Sequence, residues 1–227
     1  MDLRELFQGI FEIDLIERHV LATRNLTTGR NVYGEQLIEV AGFEYRACNP
    51  NRSKLAAAIL KGLSNMPIIQ GSKVLYLGVA SGTTCSHISD IVGSSGHIWG
   101  VDFAPRPLRD LIENLSRYRD NISPILGDAR RPESYSAVVP KVDVIYADVA
   151  QPDQSNIVVE NSELYLKIGG WAMLAIKSRS VDVTLPPQQV YRAQAEELVQ
   201  HGFDLVQIID LEPFEKDHAM AVARYRG

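Results

Sequence analysis

The sequence predicts an α/β fold of the Rossmann-like type: a mostly parallel seven-stranded sheet with an antiparallel C-terminal strand, preceded by a small N-terminal β unit. The apolar run 74–78 ends in small residues, opens a helix near Thr83 and is followed by Asp102, which closes the next apolar run, 96–101. A strand, a tight turn, a helix and an acid about 20 residues further on are typical of Rossmann-like sheets. From Val74 onward strand and helix patterns alternate, which favours a parallel sheet with right-handed crossovers.

The N-terminal part of the chain has a different pattern. Polar and apolar residues alternate over 10–48 and glycines mark the turns, so we expect a small antiparallel β unit there. A helix capped by Ser53 or Asn51 should follow. Its apolar face should carry Leu55, Ile59 and Leu63. We therefore divide the chain into a β domain, residues 1–50, and a second domain, residues 51–227.

The second domain contains seven predicted strands with helices between them. Helices are expected from about Thr83, after Pro107 and after Pro187. The last two strands follow each other without a helix, and we expect them to form an antiparallel pair at an edge of the sheet. The strands are predicted at 74–78, 97–101, 122–126, 142–147, 171–176, 203–211 and 219–225.

Composition limits the classes of protein that fit. Apolar residues make up 45% and charged residues 22% of the 227 residues, and no stretch approaches the roughly 20 apolar residues of a membrane span. The N-terminus lacks the basic start and apolar segment of a signal peptide, so we expect a cytoplasmic protein without a membrane partner. Cys48 and Cys85 form no metal-ligand motif, and we expect reduced thiols and no metal site.

The charge of the chain constrains how it could meet a nucleic acid. The net charge of −5 argues against a broad basic face, because neutralising phosphates needs clustered lysines and arginines. Local basic clusters occur, and each alone is typical of a solvated surface: Arg46 with Arg52 and Lys54, Arg130 with Arg131, and Lys177 with Arg179. A nucleic-acid substrate should therefore be held with the help of other molecules.

The turn after the first strand of the parallel sheet favours a ligand that contains a nucleoside. Neither G-x-G-x-x-G nor a G-K-[ST] ending is present, and Gly78-x-x-x-Gly82 is not built to cradle a pyrophosphate. S-adenosylmethionine needs a tight turn near its amino-acid end and a carboxylate for its two ribose hydroxyls, and both are available. A methyltransferase is favoured, while another nucleotide-binding protein and a joint without a ligand stay open.

Residues that follow neighbouring parallel strands should meet, because ligands bind beyond the carboxyl ends of such strands. Asp102 is suited to ribose hydroxyls, and Phe103 offers an apolar surface for adenine. Asp128 is placed, with the amide of Ala129, to bond the edge of the base. For each acid a helix cap or a solvated loop is the alternative. The crevice should collect the charged residues Asp102, Asp128, Asp148 and Lys177.

Five long segments carry unusual motifs that together resemble the fibrillarin family. The resemblance covers essentially the whole chain, and the absence of a Gly/Arg-rich N-terminal extension resembles the archaeal form. It implies a class I methyltransferase fold and an S-adenosyl-L-methionine-dependent RNA ribose 2′-O-methyltransferase. The motifs are NPNRSKLAAAI at 49–59, ASGTTCSH at 80–87, DVAQP at 148–152, IKSR at 176–179 and LEPFEKDH at 211–218.

The same resemblance implies a working context. Fibrillarins act within box C/D ribonucleoproteins on ribosomal RNA and, in archaea, also on tRNA, in their modification and processing. The implied partners are a Nop-domain scaffold protein, a kink-turn-binding ribosomal-type protein, the box C/D guide RNA and the target rRNA or tRNA. Guide pairing and partner proteins would then supply target selection, which agrees with the acidic net charge.

The resemblance also assigns site residues. The catalytic group comprises Lys54, Asp148 and Lys177. Related enzymes carry a Lys-Asp-Lys-Glu tetrad, whereas the corresponding loop here offers Glu215, Asp217 and His218; Asp217 and His218 are our candidates for the fourth member. The predicted cofactor-binding residues are Gly78, Ala80, Thr83, Thr84, Asp102, Phe103, Asp128, Ala129, Asp148, Val149, Ala150 and Gln151.

The expected chemistry gives each catalytic residue a role. Lys177 should face the 2′-hydroxyl as a base or as the partner of a developing alkoxide, Asp148 should orient Lys177, and Lys54 should hold the substrate ribose or phosphate. Surface salt bridges are the alternative for the lysines. A small-molecule O-methyltransferase and a non-catalytic scaffold subunit also stay open, although we see no inserted lid segment and the catalytic set is intact.

Overall fold

The computed structural model describes residues 2–16 and 18–227 and contains two β-sheets. The strands of the N-terminal sheet are β1 (Leu3–Phe7), β2 (Ile10–Leu15), β3 (Arg18–Arg24), β4 (Leu37–Val40) and β5 (Phe43–Ala47). They pair in the order β1-β2-β3-β5-β4, and every pair is antiparallel, as expected. The sheet begins at Leu3 rather than near Ile10, because β1 is a largely exposed edge strand without an apolar alternation.

The second sheet has seven strands and the predicted mixed topology. Its strands are β6 (Lys73–Leu77), β7 (His97–Asp102), β8 (Ile122–Leu126), β9 (Val142–Ala147), β10 (Leu166–Lys177), β11 (Phe203–Asp210) and β12 (His218–Tyr225). The order is β11-β12-β10-β9-β6-β7-β8. The strands β8, β7, β6, β9 and β10 pair in parallel, whereas β12 runs antiparallel to both β10 and β11. The expected antiparallel pair at the edge is therefore confirmed.

The described residues contain six α-helices. They are α1 (Lys54–Leu60), α2 (Thr83–Val92), α3 (Pro105–Asn114), α4 (Gln154–Tyr165), α5 (Ser178–Val181) and α6 (Pro187–Gln200). Three expectations about the helices were wrong. Helix α3 begins at Pro105 rather than after Pro107, and only a short 3-10 turn, Pro132–Tyr135, joins β8 to β9. Helix α1 ends at Leu60, so Leu63 is buried in the core but lies beyond the helix. Within the part of the chain that the structure describes, no helix is long and apolar enough to cross a membrane.

Ser53 rather than Asn51 caps α1. Its backbone is extended and its hydroxyl accepts a hydrogen bond from the amide of Ala56 at 3.3 Å. The cap satisfies one of the free amides of the first turn and fixes where the helix begins. Lys54 consequently occupies the first helical position, at the end of α1 that faces the sheet's crevice.

The core lies on both faces of the second sheet. Val74 and Tyr76 of β6 belong to the apolar cluster on one face, and Leu75 and Leu77 belong to the cluster on the other. Alternate side chains of a strand point to opposite faces, so a strand covered on both sides needs an uninterrupted apolar run. This requirement explains the run at 74–77 that the sequence shows.

The N-terminal sheet packs against the second sheet's core. Ile10, Leu21 and Cys48 belong to the same apolar cluster as Ile88 of α2. A smaller cluster, which includes Ile13 and Tyr45, lies within the N-terminal sheet itself. The structure contains two separate sheets. The division into two domains at residues 50 and 51 stays a prediction.

Candidate active site

The carboxyl ends of β6, β7, β8 and β9 border a cavity of about 150 Å³. Every predicted cofactor residue except Thr83, Thr84 and Asp128 lines it. The lining residues are Gly78, Ala80, Val101, Asp102, Phe103, Gly127, Ala129, Asp148, Val149, Ala150 and Gln151. The position is that expected of a ligand site in an open parallel sheet.

Gly78 allows two strand ends to approach closely. Its φ of +78° lies in the left-handed region, and a Cβ there would stand 2.5 Å from the backbone oxygen of Asp148. A contact that short cannot be accommodated without moving the loop that follows β9. Ala80, two residues on, also has a positive φ, of 49°. The turn is thus shaped by backbone conformation, and a side chain at position 78 would distort the cavity.

Asp102 is a buried carboxylate held by one amide of the turn after β6 and one of the turn that follows Asp102 itself. Its Oδ2 accepts a hydrogen bond from the amide of Ala80 and its Oδ1 from the amide of Ala104, both at 2.8 Å. Each carboxylate oxygen has more than one acceptor position, so Asp102 can still accept bonds from a ligand. Phe103 beside it is 66% exposed and presents its ring at the cavity.

The three predicted residues that do not line the cavity have other contacts. Asp128 bonds the guanidinium of Arg130, with 2.8 Å between Oδ2 and Nη2, and this hydrogen bond lowers the pKa of Asp128. The hydroxyl of Thr84 is buried and donates to the Oγ of Ser53 at 3.1 Å, which ties α2 to the cap of α1. Thr83 is half-buried at the start of α2. The sequence placed Thr83 and Thr84 beside the turn after β6, and Asp128 after β8. The direction in which each side chain points could not be predicted from the motifs.

Lys54, Asp148 and Lys177 form one ion cluster. The Nζ of Lys54 donates to the Oδ2 of Asp148 at 3.1 Å, and the Nζ of Lys177 lies 3.0 Å from its Oδ1. The side chains are partly buried, with 15%, 15% and 21% of the area of Lys54, Asp148 and Lys177 exposed. Two ammonium groups share one carboxylate, so the cluster carries excess positive charge at the edge of the cavity.

Gln154 fixes the backbone of Lys177, a contact that the sequence did not predict. Strand β9 leaves the sheet after Ala147, while β10 continues to Lys177, which leaves the last residues of β10 without a partner strand on that side. The fully buried amide of Gln154 takes the missing partner's place: the amide of Lys177 donates to its Oε1 at 2.9 Å, and its Nε2 donates to the oxygen of Lys177 at 3.1 Å. The one available signal was a second glutamine in the DVAQPDQ segment.

The two candidates for the fourth catalytic residue, Asp217 and His218, have different surroundings in the structure. The carboxylate of Asp217 accepts a hydrogen bond from the Nε of Arg179 at 3.1 Å, and its backbone oxygen accepts one from the amide of Ser178. His218 lies directly opposite Lys177 in the register of β10 and β12. Side chains at such paired positions are near neighbours on one face of a sheet. The structure therefore brings His218 beside Lys177, whereas Asp217 is held by Arg179.

Two buried polar atoms at this end of the sheet lack a protein partner in the described chain. The Oε1 of Gln151 and the hydroxyl of Tyr146 make no hydrogen bond. Burial, and then the charge of Asp148, raise the pKa of Tyr146 well above its usual value, so the hydroxyl stays neutral. An unpaired buried polar atom is costly, and a ligand that supplies a donor to Gln151 would remove that cost.

The sheet order and the crevice define a class I S-adenosylmethionine-dependent methyltransferase fold. The model of the fibrillarin family matches residues 1–227, and this chain belongs to that family. A fibrillarin-like rRNA/tRNA 2′-O-methyltransferase of Pyrococcus horikoshii is 55% identical over 221 residues, which are 96% of each chain.

Solved structures agree with this assignment. The chain is similar to Aeropyrum pernix fibrillarin in complex with natively bound S-adenosyl-L-methionine, with a TM-score of 0.91 and 48% identity over 98% of both chains. It is also similar to the fibrillarin/Nop5p complex, with a TM-score of 0.86 and 39% identity over 99% of this chain and 100% of that one. The predicted family and fold class are confirmed.

Proposed function

We propose that this protein is an S-adenosyl-L-methionine-dependent RNA ribose 2′-O-methyltransferase that modifies rRNA and tRNA under the direction of a box C/D guide RNA. The observation that carries the proposal is the Lys54–Asp148–Lys177 cluster at the edge of a cavity suited to a nucleoside. The similarity to a 2′-O-methyltransferase over almost the whole chain supports it.

The cavity fits the cofactor on three counts. Asp102 is buried, fixed by two amides and able to accept the two ribose hydroxyls, and the exposed ring of Phe103 can cover adenine. Gly78 keeps open the space beside Asp148 that a side chain would fill. The unpaired Oε1 of Gln151 can accept a bond from a ligand. The other residues that would hold it are Ala80, Ala129, Val149 and Ala150, with Thr83, Thr84 and Asp128 at the margin.

Bound S-adenosyl-L-methionine supplies a methyl group on a positively charged sulfur, and the protein's own residues prepare the ribose oxygen to accept it. Lys177 is held at its backbone by Gln154 and at its ammonium group by Asp148. A ribose hydroxyl is a weak acid, so a fixed cation beside it stabilises the negative charge that develops on the oxygen. Lys177 takes this role, or accepts the proton.

Asp148 and Lys54 complete the group. Asp148 orients both ammonium groups, and Lys54 holds the ribose or its phosphate from the other side. We assign His218 as the fourth member because it is opposite Lys177 in the strand register, and Asp217 supports the loop through Arg179. Holding the reacting groups in near-attack geometry can lower the barrier by roughly 7 to 11 kcal/mol. This is a larger effect than that of general acid–base catalysis, which typically raises the rate by about 10²- to 10⁴-fold.

Target selection belongs to other molecules. The chain has a net charge of −5, and it is similar to the fibrillarin solved together with Nop5p. We assign it a Nop-domain scaffold protein, a kink-turn-binding ribosomal-type protein and the box C/D guide RNA as partners. Residues 51–227 would form the methyltransferase domain, with residues 1–50 as a supporting β domain.

Transfer of labelled methyl from S-adenosyl-L-methionine to a target RNA tests the proposal. The assay compares the chain alone with the chain plus scaffold protein, kink-turn protein and matching guide RNA, and digestion of the product locates the label. Ribose methylation at the guided nucleotide, only in the complete mixture, is the expected result. Cofactor binding with no transfer to RNA in any mixture would overturn the proposal.

A further inference from the structure

A second, larger cavity lies between the N-terminal sheet and the segment that leads into α1. Its volume is about 510 Å³, within the range of roughly 300 to 1,000 Å³ that ligand pockets occupy. Leu21, Ala47 and Cys48 give it apolar surface. Polar and charged side chains also line it: Glu12, Arg18, His19, Glu35, Asn51 and Arg52. An apolar surface next to charged groups suits a flat, partly polar ligand.

The two arginines that line the cavity, Arg18 and Arg52, are bonded to neutral groups. The Nη2 of Arg18 donates to the Oε1 of Gln36 at 2.7 Å, and the Nη1 of Arg52 donates to the oxygen of Tyr33 at 3.0 Å. Both acceptors are neutral, and within residues 2–16 and 18–227 neither arginine forms an ion pair. The two lining acids have cations of their own, since Glu12 pairs with Arg4 and Glu35 with Arg46. Among the described residues, the guanidinium groups of Arg18 and Arg52 can therefore take an anion.

Arg52 is also held in one orientation. Its Cζ lies 4.8 Å from the centroid of the Tyr33 ring, and that ring is fixed because its hydroxyl bonds Nε2 of His87 at 2.6 Å and the oxygen of Ala47 at 3.2 Å. A guanidinium held at one edge and on one face can offer its remaining N–H groups to an anion at little entropic cost. Phosphate oxygens match that fork best, because they accept two parallel N–H bonds.

The cavity is close to the catalytic cluster along the chain. Arg52 precedes Lys54 by two residues, so their Cα atoms are at most about 7.6 Å apart. An RNA strand whose reactive ribose lies at Lys54 and Lys177 must continue past one side of this cluster. Residues 49–52, which line the cavity together with Leu60 of α1, lead directly to Lys54.

We propose that this cavity is a subsite for a nucleotide of the target RNA adjacent to the methylated one, with Arg18 and Arg52 on the phosphodiester and the apolar surface against the base. The inference rests on the proposed function and extends it. It gives this acidic protein a local contact to RNA that its net charge does not suggest.

The test measures methylation kinetics in the complete guide particle, with a target RNA that pairs weakly enough for KM to be measured. Arg18→Ala and Arg52→Ala should each raise KM for the RNA about tenfold, as expected for a lost bond to a charged group, and leave kcat and cofactor affinity unchanged. The slope of log affinity against log salt should fall by about 0.7 to 0.9 for each lost phosphate contact. Arg52→Lys should give an intermediate KM. Arg226→Ala, an exposed arginine paired with Asp204, is the matched control and should change none of these.

A cross-link provides a second readout that does not depend on a variant. A 4-thiouridine placed next to the target nucleotide should cross-link to a peptide within residues 18–52. An unchanged KM in a variant that carries both Arg18→Ala and Arg52→Ala, or a cross-link confined to other segments, would overturn the subsite. Loss of scaffold-protein binding with unchanged KM would also overturn it, in favour of an acidic protein segment. Absence of RNA methylation by the unmodified particle would instead reject the proposed function.

Discussion

Arg46 and Asp90 form a fully buried ion pair, with 2.8 Å between Nη1 and Oδ2, that joins the N-terminal sheet to helix α2. Arg46 also pairs with Glu35, and Asp90 with Arg119, so two guanidinium groups and two carboxylates balance one another out of contact with water. Helix α2 begins at the turn that borders the active-site cavity. The network therefore links the N-terminal sheet, through α2, to the turn between β6 and α2.

Replacing Arg46 by methionine should destabilise the protein strongly. The substitution leaves Glu35 and Asp90 buried without their shared cation, and breaking a buried pair in this way costs about 3–5 kcal/mol. Urea unfolding of the variant should show a loss of that size. Arg4→Ala, which removes an exposed partner of Glu12, should cost at most about 1 kcal/mol. Similar losses for the two variants would mean that the network contributes no special stability.

His87 should make the protein less stable in mild acid. Burial, and then the charges of Arg46 and Arg119, hold the pKa of His87 well below its usual 6.5, so the ring is neutral in the folded protein. The unfolded chain binds a proton below pH 6.5 that the folded chain does not, and this difference favours unfolding as the pH falls. The contribution should reach about 1.4 kcal/mol per pH unit below 6.5.

Unfolding curves of the His87→Gln variant between pH 7 and pH 5 check this expectation. The variant should have a shallower loss of stability with acid than the unmodified protein. Identical slopes for the two proteins would show that His87 does not contribute to the acid sensitivity.

Gly78→Ala should bind the cofactor more weakly. The new Cβ would collide with the backbone of Asp148, and this effect adds to the cost of a positive φ at a residue other than glycine. The new Cβ would meet the oxygen of Asp148 at 2.5 Å, so the loop that carries Asp148 has to move. Gly42→Ala has a similar φ, +80°, with no atom within 4 Å, and so isolates the conformational cost. Calorimetric titration with S-adenosyl-L-methionine should show at least about tenfold weaker binding for Gly78→Ala only, since a displacement of 1 Å is costly. Equal affinities would contradict the assignment of the cavity.

Gln154→Leu should slow methyl transfer while leaving cofactor affinity intact. Without the side-chain amide, the backbone of Lys177 loses both bonds beside β9 and the ammonium group is free to shift. A misplacement of about 1 Å can cost roughly 10²-fold in rate. Gln194→Leu, at a buried glutamine that bonds Ser155, should lower stability with little change in rate. Equal rates for the two variants would reject a positioning role for Gln154.

Much of the fold followed from the sequence because its main signals are local. Strands β8 and β9 have the predicted bounds, since each is a short apolar run ended by a turn. Strand β10 is longer than predicted, from Leu166 to Lys177 rather than over 171–176, because pairing with β12 extends one end and a glycine pair interrupts the apolar pattern at the other. Pairing across the sheet is not visible in a local pattern.

The sequence predicted those site residues that lie at the carboxyl ends of parallel strands, and it did not predict their side-chain contacts. Asp102, Asp148 and Lys177 converge because each follows a parallel strand, and that rule needs no side-chain geometry. The contacts of Asp217 with Arg179, and of Gln154 with Lys177, depend on side-chain direction. The same holds for the ion network of Arg46, whose partner Asp90 is 44 residues away along the chain.

The most direct test of the central claim compares Lys177→Ala with Lys167→Ala in the assembled particle. Both lysines lie on β10 and pair with an aspartate next to or within β9, but at opposite ends of the strand, Lys167 with Asp143 at 2.6 Å. Single-turnover methyl transfer at saturating cofactor and RNA should fall at least about 100-fold for Lys177→Ala and stay unchanged for Lys167→Ala, with cofactor affinity preserved in both. Full transfer by Lys177→Ala with normal cofactor binding would contradict the assignment of the catalytic group.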